Sequence, residues 1–514
     1  ACRSKHCRPV EAAVDQSCAA TGPPCRSSAF LCRRSFLCPR AFSPRTMLLL
    51  GLLQVAALLR QPPLLLPTPK PPHQRVVACA DAAGPTATAA PPMRVVDAAA
   101  IIGGTSVGGS FLALPMVTAP LGLGPSLVGM IAAWAVLAAS AIAYLEAAAI
   151  VMEREGEAEG ASVVAVSRHA FGGAAATVVS SLFLVQCVVV IAAQLAKAGE
   201  LLSLLAPVAA VAAPAAYPAA CVATAALSAA AVFGARRALV ERLNTGLAAT
   251  LIVGLLWLSG RALGGALPSG AAAASRLGGA DWSALLPGTA AAGWPIPLFL
   301  KLLSFGQAVP VVAAGLGPRR LGAARAAVLA GSAVPLLLSA MWATVSALLA
   351  GAGAGASADP TVQLLGTGWA SALPAVAVAS GAIGTSLIAN YLTVRQFCAD
   401  ALRALQGRGA GAPPDGVPVA VLAALSLPAA IACGGARLYL PLLRWSGAFP
   451  TTILYGLLPP LAALALGRQR GGSSARASRL ALHAHAALTA ALLGVNLALS
   501  SNVRGCWRLG GLLR

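Results

Sequence analysis

The sequence predicts an all-α integral membrane protein of about 11 transmembrane helices, and three observations carry that prediction. First, 58% of the residues are hydrophobic and only 10% are charged, with mean hydropathy +0.80, whereas a soluble domain charges about a quarter of its residues. A water-facing surface cannot be built from that mixture. Second, apolar blocks of about 20 residues, the length that crosses a ~30 Å hydrocarbon core, recur from Val95 to Ser500. Third, the basic residues downstream of the leader sit in small groups between those blocks, where they orient a chain in lipid.

The chain opens with a segment of different character. Residues 1–92 are rich in Arg, Ser, Ala and Pro, and hold 11 Lys or Arg against Glu11, Asp15 and Asp81, a local charge of +8 out of +21. This is the composition of an organelle targeting leader, and the run Leu66, Pro67, Thr68, Pro69, Lys70, Pro71, Pro72 excludes helix there. The segment is expected to be disordered and removed. Within it, Met47 opens a short apolar run, Leu48 to Leu59, between Arg45 and Arg60. Either a signal-plus-transit leader begins at Met47, or the whole segment is a plastid or mitochondrial presequence. Seven of the 12 cysteines also lie in this segment, with no CxxC pair anywhere, so neither a zinc site nor a disulfide framework is indicated and no metal or cofactor is expected.

Eleven apolar segments follow, at about 97–118, 124–150, 175–204, 207–233, 238–260, 291–316, 324–350, 370–402, 416–433, 449–467 and 480–500. Together they form a transporter domain over 93–500, followed by a short basic tail, 501–514. With the mature N-terminus inside, the inner loops and span ends collect 16 Arg and the outer ones seven. That bias supports N-inside by the positive-inside rule.

Two spans carry an interruption. The first reads Asp97-AAAIIGGTSVGGSFLALP-Met116, with four glycines among the eight residues Gly103 to Ser110. Each glycine costs about 1 kcal/mol relative to alanine in a helix, so the stretch is poised to unwind. The sixth reads Trp294-PIPLFLKLLSFGQAVPVVAAG-Leu316, where Pro310 cannot donate to the Gly306 carbonyl. Unwound backbone at membrane depth is tolerated only against protein or a water-filled cavity, and a matched pair of such breaks points to a transporter's binding site. Freed amides and a half-helix N-terminus suit a carboxylate, and freed carbonyls suit an ammonium. The alternative for the first break is a packing face built on the Gly104 and Gly108 GxxxG pair, and for the sixth an ordinary proline kink.

At these residues the chain resembles the tryptophan/tyrosine permease family, also called hydroxy and aromatic amino-acid permeases, and within it the plant and algal plastid branch. Gly104-TSVGGSFLAL-Pro115 is similar to that family's Gly-rich first-span signature, and Ser304-Phe305-Gly306 with Pro310 to its sixth-span pattern. Ile383-GTSLIANYL-Thr393 and Phe449-PTTILYGLLPP-Leu461 extend the resemblance over about 95–500. The resemblance implies a five-plus-five inverted repeat of the amino acid/polyamine/organocation type with an eleventh helix, and proton-coupled uptake of aromatic amino acids, tyrosine or tryptophan. It implies that Gly104, Thr105, Ser106, Val107, Gly108 and Gly109 meet the substrate carboxylate. Ser304, Phe305, Gly306 and Gln307 would then meet its ammonium and side chain, with Thr385 and Ser386 lining the cavity or an ion site. The sequence departs from the family where Gln307, Ala308 and Val309 follow the sixth-span glycine in place of an aromatic residue and a histidine, and Lys301 lies a turn earlier.

Charges inside a membrane are functional candidates by default. Glu146 near the inner end of the second span, and the i, i+3 pair Lys197 and Glu200 on the third, are the candidates for proton coupling. Each has a structural alternative: Glu146 wet at the interface, Lys197 snorkelling or paired with Glu200. The expected partners are an amino acid, a coupling proton and the lipid bilayer, and the location is a plastid inner envelope with the N-terminus in the stroma. Sodium is the rival coupling ion, since hydroxyls with unwound carbonyls also coordinate it. Nucleic acid is not expected, because no basic stripe with interleaved aromatics occurs. No pore ring marks a channel. An enzyme is not expected either, because His169, His483 and His485 lie in a loop or at the edge of the last span.

Overall fold

The structure is a computed structural model that describes residues 93–510, except 107, 156–160, 206–212, 267–269, 271–276, 289–292, 350–361, 363, 365–368, 407–425 and 468–474. The expected leader, 1–92, therefore lies outside the described residues, as does most of the ninth expected span, 416–433.

All regular structure among the described residues is helical, because a chain in lipid must satisfy its backbone polar groups within each segment. The first span is α1 (Val95–Ser106), a 3-10 turn (Gly109–Ala113) and α2 (Leu114–Leu121). The second and third are α3 (Leu123–Glu155) and α5 (Gly173–Leu205), each of 33 residues, which is about 50 Å at 1.5 Å per residue. Between them α4 (Val163–Phe171) begins where the Ser162 hydroxyl accepts from the Ala165 amide and ends at Gly172, whose φ of 90° stops it. Arg168 of α4 reaches Glu155 at 2.7 Å and fixes this short helix across the end of α3. The fourth and fifth spans are α6 (Ala213–Ala229), which widens into a π turn at Ala230–Gly234, and α7 (Arg237–Ala266).

The sixth span consists of α8 (Ile296–Leu302) and α9 (Val309–Leu316). The seventh and eighth are α10 (Leu321–Leu349) and α11 (Trp369–Gln406). The tenth runs as one line from α12 (Tyr439–Ser446) through an 11-residue π-helical segment (Gly447–Leu457) into α13 (Leu458–Gly467). The sequence reading began that span at 449 and left Leu438 to Leu443 as a separate short block. The structure joins the two, because the π geometry carries the chain past Pro450 without ending the helix. The last helix, α14 (Ala475–Gly510), runs ten residues beyond the expected end at 500, into the part read as a tail.

Among the described residues, eight helices are long and apolar enough to cross a membrane, or nine if the bent first span is counted. The count falls below 11 because the sixth span is divided into two short helices and the ninth is mostly outside the described residues. Packing is tightest between α7 and α11, between α1 and α10, between α5 and α6, and between α3 and α10. Gly331 of α10 meets Ala99 and Ile102 of α1, and Gly103 meets Gly331 and Val334, so small residues set the approach of these helices. Phe111 stacks on Trp342 of α10 at 5.6 Å between ring centroids and anchors the far side of the first-span turn.

Candidate functional site

Both interrupted spans are broken. In the first, α1 stops at Ser106 and the chain is extended at Gly108 (φ −142°, ψ −169°) before it re-enters a helix, with the two halves bent by 49°. Gly104, half of the GxxxG pair, has open space around it, whereas helix packing is made by its neighbour Gly103. The packing explanation for that pair therefore fails at Gly104. In the sixth, Pro310 occupies the second position of α9, where a missing N–H costs nothing, so it opens the second half-helix rather than kinking a continuous one.

The first break is held by polar side chains from other spans. Tyr439 at the head of α12 donates its hydroxyl to the Gly109 carbonyl at 2.6 Å. A side chain at Gly109 would overlap the Gln194 carboxamide of α5, so only glycine fits beneath it. Gln194 is fully buried, and neither its oxygen nor its nitrogen has a hydrogen-bond partner among the described residues. Ser386 of α11 closes the opposite side, 3.4 Å from where a Cβ on Gly108 would stand. One turn beyond Gln194, Lys197 is 1% exposed, pairs with Glu200 at 2.6 Å and lies 5.7 Å over the Tyr439 ring. A buried ion pair of this kind offsets its desolvation only while both partners remain.

The sixth break is satisfied by its own chain and covered by a ring. The Leu303 amide donates to Phe299, and the Ala308 and Val309 amides to Phe305 and Gly306. The Ser304 hydroxyl donates to the Lys301 carbonyl at 2.8 Å. Tyr455, from the π segment, lies so close that a side chain at Gly306 would overlap the root of its ring. The Tyr455 hydroxyl is buried without a partner among the described residues. Below it lies a void of about 10 Å³ lined by Leu137, Ala141, Tyr144, Val163, Gly306 and Tyr455, among others. That is room for about one water, so the path from the sixth break toward α4 is shut in this conformation.

The residues expected to form the site divide accordingly. Gly104 and Thr105 are exposed on the last turn of α1, where the Thr105 hydroxyl donates to Ile102; Ser106 ends the helix, and Val107 lies outside the described residues. Gly108, Gly109 and Ser386 come together, whereas the Thr385 hydroxyl is turned back on Gly381 and Ala382 of its own helix. Ser304 and Gly306 are half-buried, Phe305 is packed in the core and Gln307 is exposed. Glu146 pairs with Arg325 of α10 at 2.7 Å, both side chains more than a third exposed.

Sequence reasoning missed Gln194, Tyr439 and Tyr455. The first had a signal, since Gln186 and Gln194 interrupt the apolar middle, Leu182 to Ala196, of a 33-residue helix. The other two needed the course of the tenth span.

Comparison with curated proteins finds no match. The description of the tryptophan/tyrosine permease family, in contrast, fits residues 93–474, from the head of α1 to the residue before α14. With its membrane-length helices, this makes the protein an integral membrane transporter of the amino-acid permease type. The chain therefore belongs to the tryptophan/tyrosine permease family.

Proposed function

We propose that the protein is a secondary active transporter of aromatic amino acids, tyrosine or tryptophan, driven by proton symport. The observation that carries this reading is the pair of broken spans with unlike surroundings: buried polar groups at Gly109 and an aromatic ring at Gly306. The amides that lead the second half of the first span have no preceding turn to bond, and they suit a carboxylate. The unpartnered Gln194 amide adds a donor and an acceptor beside them. At the sixth break, the position covered by the Tyr455 ring has the shape an aromatic side chain would take on displacing it.

Of the three charged candidates, the Lys197–Glu200 pair is assigned to proton coupling, because it lies within reach of Tyr439 and the first break. Protonating Glu200 would remove its charge from beside the buried Lys197, which lies over the Tyr439 ring, so the pair's charge state and the packing at Gly109 are linked. Glu146 is assigned the tie between α3 and α10. The leader composition supports a plastid inner-envelope location, and the Arg bias a stromal N-terminus.

The test is uptake by the protein reconstituted in liposomes, with tyrosine, tryptophan and phenylalanine offered under an imposed pH gradient and then a sodium gradient. Uptake of at least one under the pH gradient is expected. Uptake driven by sodium alone would replace the proton, and no driven uptake of any of the three would remove the assignment.

A further inference from the structure

Helix α14 lies beyond the residues that the family description fits, and most of its surface faces outward. One stripe of it is polar and turned inward: His485, Thr489 and Asn496, at i, i+4 and i+11, share the face packed on the π segment. Polar side chains at this depth are retained for a reason. The π segment supplies part of it, because its widened turns, and Pro460 four residues beyond Gly456, leave carbonyls that lipid cannot satisfy. Three are caught by side chains: Gly447 by Thr452 at 2.8 Å, Ala448 by Asn496 at 3.0 Å, and Gly456 by Ser140 of α3 at 3.0 Å.

Ser140 is fully buried and also lies 2.7 Å from Nε2 of His485. A serine hydroxyl has one proton. If it donates to the Gly456 carbonyl, the histidine must donate to the serine oxygen. Both contacts therefore coexist only with a hydrogen on Nε2, an arrangement the imidazolium enforces. A neutral ring can instead present Nε2 as an acceptor, draw the serine proton and leave the Gly456 carbonyl bare. Gly456 adjoins Tyr455, the residue whose ring covers the sixth-span break.

We infer that His485 is a proton-binding site that latches the π segment of the tenth span over the sixth-span break. With the proton bound, the His485–Ser140–Gly456 chain holds Tyr455 against Gly306 and keeps the void toward α4 shut. Loss of the proton weakens it, because a neutral ring donates less strongly and can turn Nε2 into an acceptor. The site is separate from Lys197–Glu200, which lies toward the opposite end of the third span from the α4 side. The other ionisable groups on the elements packed against α14 are engaged or distant in sequence. On α3, Tyr144 donates to the Ala161 carbonyl, Glu146 is held by Arg325 and Glu155 by Arg168. Further along that helix are Glu153 and Arg154; the π segment carries Tyr455, α13 carries none, and α14 itself has Arg476, Arg479 and His483 nearby.

The latch takes its meaning from the transport reading, and the test separates the two. Val309 lines the shut void. In the full-length chain in liposomes, Val309→Cys is labelled with a polar maleimide from pH 5.5 to 8, its rate divided by that of the unfolded protein at the same pH, with the unsubstituted chain as blank. Labelling is expected to rise roughly tenfold over the range in which an imidazole titrates. His485→Gln should flatten that profile and Ser140→Ala should do the same, while His483→Gln leaves it intact. A flat profile in the parent, or an unchanged one in both His485→Gln and Ser140→Ala, overturns the latch. Should one of those two variants fail to fold, the other decides alone. Amino-acid uptake is measured on the same liposomes. Its absence alongside pH-dependent labelling supports the latch and sinks the transport reading.

Discussion

The two breaks in the membrane helices are alike in sequence and opposite in surroundings. At the first, the Tyr439 hydroxyl meets the Gly109 carbonyl while the Gln194 amide and Ser386 lie beside the turn, with an ion pair one turn beyond Gln194. At the sixth, the chain bonds to itself and an aromatic ring lies over it. Unwinding alone therefore does not define what a break can hold. The neighbours do: a polar collar suits the charged end of a zwitterion, and a ring-covered hollow suits its side chain.

This contrast is open to substitution. The largest effect is expected at Gly306, because a methyl there meets the root of the Tyr455 ring, which cannot swing aside without moving the π segment. Gly306→Ala should lower uptake roughly 100-fold, the rate equivalent of the ~3 kcal/mol that overpacking costs. An uptake assay showing no loss would mean that the ring is not fixed over the break.

Next comes the ion pair. Glu200→Gln removes the carboxylate that pairs with the buried Lys197, and the loss should be about 2 kcal/mol in detergent unfolding, below the usual ~3–5 because Glu200 is 32% exposed. Lys197→Met should cost less, since the carboxylate it strands is partly wet. The reverse order would mean that Lys197 is stabilised by groups other than Glu200.

At the first break the expected loss is smaller, because the overlapping group is the end of a flexible glutamine. Gly109→Ala should reduce uptake about tenfold, the effect of ~1.4 kcal/mol, and Gln194→Ala should restore part of it. Gly104→Ala, with open space around it, should stay within about twofold. If Gly104→Ala proves the more damaging of the two glycine variants, the polar collar is not where the site lies.

Tyr455→Phe removes a buried hydroxyl that has no partner, and should raise stability by about 1 kcal/mol while changing the preference between tyrosine and phenylalanine in competition uptake. The smallest effect belongs to Arg325→Gln. Its pair with Glu146 is more than a third exposed on both sides, so thermal unfolding should move by less than about 1 kcal/mol.

Much of the fold was legible because lipid imposes simple rules. Glycine clusters and a proline inside 20-residue apolar runs located both breaks, Gly103 to Ser110 and Ser304 to Pro310, since helix propensity is local. The tenth span was begun at 449 and so cut short, because Leu438 to Leu443 is a short apolar block and nothing local shows that a π segment carries the helix past Pro450. Asn496 and Ser140, 48 and 316 residues away in the chain, meet two carbonyls of that segment, Ala448 and Gly456. His485 was set aside as an edge residue, and only the packing of α14 on the π segment brings its ring to Ser140.

The sequence by itself determined the solvent, the helical class and the points where two helices come apart, because hydropathy and helix propensity act within a few residues of themselves. The tertiary structure decided which side chains surround each break, and with them the polar character of one and the aromatic character of the other. A hydrogen bond such as that from Tyr439 to Gly109 joins residues 330 apart in the chain. No pattern within a single span encodes such a distance, because it is set by how separate helices pack.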